Sequence, residues 1–158
     1  MITNKTRPRA VAGSMNILLV GNNPIELGKT LDTVKRLPER SVTAEIAFDL
    51  ASMWQRLMQF RPNFILIDDN IGLHELHQTV SKLASNPKTR DVPITVLKNS
   101  NYTGSIVSNE ISDYVLKQNL TPESLYVTLR NSLKFKRARK YLMLAYTRRR
   151  RQLLRLMD

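Results

Sequence analysis

Apolar residues follow two rhythms in this chain, and the rhythms alternate along most of its length. Ile17-Leu18-Leu19-Val20 is a short continuous apolar run closed by Gly21-Asn22-Asn23-Pro24, as expected of a strand buried on both faces. Asn23 and Pro24 suit the cap and first turn of a helix. Its apolar stripe is Leu27, Leu31 and Val34, and Leu37-Pro38 closes it. Val42, Ala44, Ile46 and Phe48 then alternate with Thr43, Glu45 and Ala47, the period of a half-buried strand. Asp49 caps a second helix with Leu50, Met53, Trp54, Leu57 and Met58 on its inner side, ended by Arg61-Pro62. Phe64-Ile65-Leu66-Ile67 is a second fully apolar run, leading straight into Asp68-Asp69-Asn70. A third helix carries Leu73, Leu76, Val80 and Leu83, and Pro93-Ile94-Thr95-Val96-Leu97 is a fourth strand. Asn99 to Glu110 has Gly104 at its middle and few apolar anchors, and holds at most a short helix. Tyr114-Val115-Leu116 is a fifth strand, and Thr121-Pro122-Glu123 starts a last helix with no glycine or proline before Asp158.

Five strands interleaved with five helices predict an α/β fold. Strands joined by helical crossovers run parallel, with right-handed connections. The solution is a doubly wound five-stranded parallel sheet, whose site lies at the carboxyl ends of its strands. The residues following strands one, three, four and five would meet there: Gly21-Asn22, Asp68-Asp69, Lys98-Asn99 and Lys117-Gln118.

Charge divides the chain. The formal net charge is +12 over 158 residues. Met15 to Leu129 holds 11 basic and 12 acidic residues, whereas Arg130 to Asp158 holds 11 basic residues and 1 acid. Lys5, Arg7 and Arg9 add +3 in the first fourteen residues. A polyanionic partner would therefore meet the tail, not the body. The division expected is 1–14, a flexible basic arm or a cloning scar; 15–133, the α/β domain; and 134–158, a protruding basic helix. There is no cysteine, which excludes disulfides and thiolate metal sites and suits a cytoplasmic protein. No stretch approaches the roughly 18 apolar residues of a membrane span.

Three segments together resemble the receiver domains of two-component response regulators. Pro62-Asn63-Phe64-Ile65-Leu66-Ile67-Asp68 resembles the strand ending in their phospho-accepting aspartate. Val92-Pro93-Ile94-Thr95-Val96-Leu97 resembles their fourth strand. Asp113-Tyr114-Val115-Leu116-Lys117 resembles their last strand, with its switch aromatic at Tyr114 and its lysine at Lys117. The resemblance covers about Met15 to Leu133 and implies the flavodoxin-like receiver fold, phosphorelay signalling and a signalling protein as partner. The departures are as specific. Gly21 and Asn22 stand where the family has two acidic residues that hold magnesium with the phospho-acceptor. Lys98 replaces its threonine or serine, and Gln118 the proline after its lysine. Phosphoryl transfer to a carboxylate needs a hard dication. Asp68 and Asp69 facing Lys98 and Lys117 make a near-neutral pocket, so no magnesium cofactor is expected. Lys98 is expected to stand in for the metal charge and to pair with Asp68. The implied protein is a non-enzymatic pseudo-receiver, and a receiver still phosphorylated on Asp68 is the alternative.

Other candidates carry less. His74 and His77 lie three apart on one helix, a spacing that metal sites use, but no third ligand accompanies them. Gly21-Asn22-Asn23 lacks the glycine spacing and lysine of a phosphate loop. In the tail, Phe135, Ala138, Leu142, Ala145, Arg149, Gln152 and Leu156 fall at alternating spacings of three and four. Met143, Tyr146, Leu153 and Met157 widen this heptad seam, which predicts a coiled-coil homodimer through the helix. Arg149 and Gln152 interrupt it, and Arg148-Arg149-Arg150-Arg151 opens the alternative of a nucleic-acid-binding regulator.

Overall fold

The computed structural model describes residues 14–39, 41–99 and 110–157. Five parallel strands form one sheet in the order β2-β1-β3-β4-β5: β1 (Ser14–Val20), β2 (Ser41–Ala47), β3 (Phe64–Asp68), β4 (Ile94–Lys98) and β5 (Asp113–Leu116). Four helices are described: α1 (Pro24–Lys35), α2 (Leu50–Gln59), α3 (Leu73–Ser85) and α4 (Pro122–Leu156). Residues 100–109, most of the segment read as a short fourth helix, lie outside the described residues, as does nearly all of the 1–14 arm.

Every residue of β3 is buried, because a central parallel strand has helices on both faces. One face of the sheet packs Leu18, Val20, Ile65, Ile67, Ile94 and Val96 against Met53 and Leu57 of α2 and Leu76, Val80 and Leu83 of α3. The other packs Ile17, Leu19, Leu66 and Leu97 against Leu27 and Val34 of α1 and Leu125 and Leu129 of α4. β2 lies at an edge and is only half buried, as its alternation predicts. Phe48 falls just past its end and is 50% exposed. Leu73 and Met58, read as inward-facing, are also exposed. Leu73 opens its helix at the sheet rim, and Met58 sits in the last turn of α2.

The helix starts form where the side chains can bond to unpaired backbone donors. The Asn23 side chain accepts from the N–H groups of Ile25 and Glu26, with Pro24 next in line. Asp49 with Ser52, and Thr121 with Ser124, form capping boxes at α2 and α4. α4 runs for 35 residues, about 52 Å at 1.5 Å per residue. Leu125, Leu129 and Ser132 are its buried residues. Lys140 still reaches the body, pairing with Asp91 at 2.9 Å, which holds the Asp91 carboxyl below its ordinary range. Beyond it the helix is exposed throughout.

Candidate functional site

Parallel pairing in register brings the ends of β1, β3, β4 and β5 to one rim. Val20 pairs with Ile67, Asp68 with Leu97, and Lys98 with Leu116. Gly21, Asp68, Asp69, Lys98, Asn99 and Lys117 stand at or just past the ends of those strands on this rim.

Asp68 is the centre. It is 2% exposed, and a carboxylate so deep needs donors and a countercharge. Its Oδ1 accepts from the Asn70 backbone N–H at 2.9 Å and from Asn99 Nδ2 at 3.2 Å. Its Oδ2 meets the Lys117 ammonium, an ionic contact rather than a directed hydrogen bond. Lys117 is itself only 12% exposed and reaches Glu26 Oε2 of α1 at 3.2 Å. One ammonium therefore joins β5, β3 and α1. The hydrogen bond from Lys117, with its charge, holds the Glu26 carboxyl below its ordinary value of 4.5. Asp69 completes the rim: Asn99 donates to it from both backbone N–H and side-chain Nδ2.

Two expectations change here. The cation paired with Asp68 is Lys117. The Lys98 ammonium instead lies 5.7 Å from the centroid of the Tyr114 ring, in reach of a cation–π attraction. The physical reason is direction, since Lys98 is the last residue of β4, whereas Lys117 follows β5 as the first residue of a 3-10 turn (Lys117–Asn119) and reaches Asp68. The near-neutral count of Asp68 and Asp69 against two lysines also omits Glu26, which adds a third carboxylate. Glu26 is the site residue that sequence reasoning missed, whereas Asn99 was placed at the rim without its bonds to Asp68 and Asp69. Glu26 sits five residues after Gly21, in the first turn of a helix rooted at the rim, and that position was the available signal. Asn99 directly follows β4.

Gly21 is packed, not open. A Cβ there would lie 2.7 Å from Leu27 Cδ2 and 3.2 Å from Asp68 Cβ, so Leu27 fills the space an acidic side chain would need. Asn22 is exposed. A hard dication is held by several carboxylate or carbonyl oxygens. Here Asp68 already meets an ammonium, residues 21 and 22 supply no carboxylate, and among the described residues no three acidic or imidazole groups are placed so that they could hold a metal ion. The residues present do not fit such an ion. His74 and His77 lie exposed on α3. Of the tail residues named, Phe135, Leu142, Leu153 and Leu156 are exposed (59%, 65%, 61% and 83%), and Ala138, Ala145 and Arg148 to Arg151 are exposed with them.

A β2-β1-β3-β4-β5 parallel sheet with an aspartate ending β3 and a lysine after β5 is the response-regulator receiver fold. The chain is similar to the receiver domain of a sensor histidine kinase from Pseudomonas aeruginosa PAO1, a structure with magnesium in its active-site cleft. That likeness has a TM-score of 0.64 at 18% identity and covers 77% of this chain and 98% of that one. The chemotaxis response regulator CheY4 of Vibrio cholerae matches with a TM-score of 0.60 at 18% identity, over 76% of this chain and 99% of that one. A solved structure containing the yeast Spc42 trimeric coiled coil, fused to another structure, matches with a TM-score of 0.61 at 16% identity. It covers 91% of this chain and 97% of that one. No protein-family model and no curated protein matches the sequence.

Proposed function

We propose that this chain is a pseudo-receiver of phosphorelay-type signal transduction: a non-enzymatic module that works by docking a signalling protein and by dimerising, without accepting a phosphoryl group. The observation that carries this reading is the Lys117 ammonium, which joins Asp68 to Glu26 while Leu27 fills the space above Gly21. Asp68 is thereby paired within the chain, and a dication bound there would have to displace an ammonium from a buried carboxylate. Lys98 over Tyr114 supports the same conclusion, because it gives the aromatic a fixed neighbour. A cytoplasmic location belongs to this reading; among the described residues no helix is long and apolar enough to cross a membrane.

The dimer would form through α4. Phe135, Leu142, Leu153 and Leu156 are exposed along one side of the helix, and burying apolar surface of that kind is the main force for association. The match to the coiled-coil fusion extends over more of this chain than the match to either receiver.

Amide NMR during titration with magnesium and beryllofluoride, a phosphoryl mimic, tests the pocket. The expected result is no shift at Asp68, Lys98 or Lys117. Shifts that Asp68→Asn abolishes would overturn the proposal and make the chain a receiver phosphorylated on Asp68.

A further inference from the structure

The arginine run of α4 belongs to no part of the pocket, and only Arg149 of its four residues falls on the heptad seam, which it interrupts. Successive helical residues step by about 100°, so four in a row sweep about 300° of the circumference. Arg148, Arg149, Arg150 and Arg151 are four in a row, all exposed. Guanidinium groups therefore surround this turn on every side. No acidic residue occurs between Glu123 and Asp158 to compensate them along the helix. Arg148 and Arg151, three apart on the helix, repel one another, and a partner bearing negative charge on more than one side neutralises all four cations.

The encircling arrangement selects among polyanions. A membrane surface lies to one side of a helix, and an interfacial helix needs an apolar face to bury. Here every face of the arginine turn carries a cation. Single strands present their phosphates along one line and are held largely by base stacking. The major groove of B-form DNA is different. It is about 12 Å wide, it is walled by phosphates on both sides, and a helix with its side chains is about 10–12 Å across. Cations on opposite sides of one helix can then meet both walls at once.

We infer that residues 148–151 bind duplex DNA through its phosphates, lying in the major groove without reading sequence. Phosphate contacts set affinity and carry no sequence information. The inference is independent of the pocket, and it concerns α4 as a single helix at this turn, where Arg149 interrupts the seam and all four guanidinium groups are exposed.

Fluorescence anisotropy of a short labelled duplex with the full-length chain tests it across a salt series. Four phosphate contacts give a slope of log affinity against log salt of about −3.6, roughly a 150-fold loss between 50 and 200 mM salt. Arg148→Gln/Arg149→Gln/Arg150→Gln/Arg151→Gln is expected to flatten that slope by about 3.6, with circular dichroism unchanged because glutamine is as good a helix former as arginine. The same four changed to lysine should keep the slope, which separates charge from any loss of helix. Two duplexes of unrelated sequence should bind alike. Absence of duplex binding at the lowest salt, a slope indifferent to the glutamine changes, or tighter binding to single strands or to phosphatidylserine vesicles would each overturn the inference.

Discussion

Replacing Lys117 with methionine keeps most of the side-chain stem and deletes the charge beside Asp68. Asp68 would stay behind at 2% exposure, with two donors on Oδ1 and no ionic partner on Oδ2. Breaking a buried ion pair from one side costs about 3–5 kcal/mol, because the remaining charge is uncompensated. The donors from Asn70 and Asn99 lessen that cost, and Lys117 is not wholly buried. The loss should therefore fall near the lower limit, about 3 kcal/mol. Glu26, more open than Asp68, turns to solvent at little cost. With a urea slope of about 2 kcal/mol per molar, the unfolding midpoint should drop by about 1.5 M. The single tryptophan, Trp54, packs against the α2–α3 core and supplies the fluorescence signal. Lys117→Met/Asp68→Asn removes both charges of the buried pair and should recover most of the loss. A double-mutant cycle should show a coupling of about 2 kcal/mol. A loss for Lys117→Met below about 1 kcal/mol, or a cycle that is simply additive, would refute the view that this pair holds the pocket closed.

Three further outcomes follow from the same geometry. Gly21→Asp should not create a magnesium site by NMR titration; it should destabilise by about 1–3 kcal/mol, the usual cost of overpacking, with Leu27→Ala in the same chain restoring part of that. Glu26 has its carboxyl lowered from 4.5 by Lys117, so the stability it contributes is present above that value and is lost as pH falls through the lower folded value. The urea midpoint of the native chain should accordingly fall on acidification below about pH 4.5, and Glu26→Gln should flatten that part of the profile. If the proposed α4 dimer forms, Leu142→Glu places a charge in its seam and should give a monomer in light scattering while leaving the pocket's amide resonances in place.

The fold was legible because its signals are local. Apolar runs of four at Ile17–Val20 and Phe64–Ile67 can be satisfied only by a sheet covered on both faces, and the caps at Asn23, Asp49 and Thr121 mark helix starts through bonds to residues two or three positions away. The rim was legible as a set of strand ends. Its internal pairing was not, since Lys98 and Lys117 are both one short step from Asp68 in the topology and only the direction of each strand end decides between them. Glu26 was hidden for a related reason: the contact with Lys117 spans 91 positions, and nothing within α1 distinguishes an acid facing a pocket from an ordinary first-turn acid favoured by the helix dipole. Exposure of Leu73 and Met58 shows the same limit, because periodicity marks a stripe but not where the opposing surface ends.

The unbroken course of α4 has a mechanical consequence. Its first turns are gripped by Leu125 and Leu129 in the core, and with no glycine or proline after Pro122 it has no hinge at which to yield. The 22 residues from Phe135 to Leu156 extend about 33 Å, so each degree of tilt where the helix leaves the body displaces its far end by about 0.6 Å. The helix is thus built as a lever whose fulcrum is the packed face beside the pocket, and a tilt of about 10° from repacking around Leu125 would carry the arginines about 4 Å.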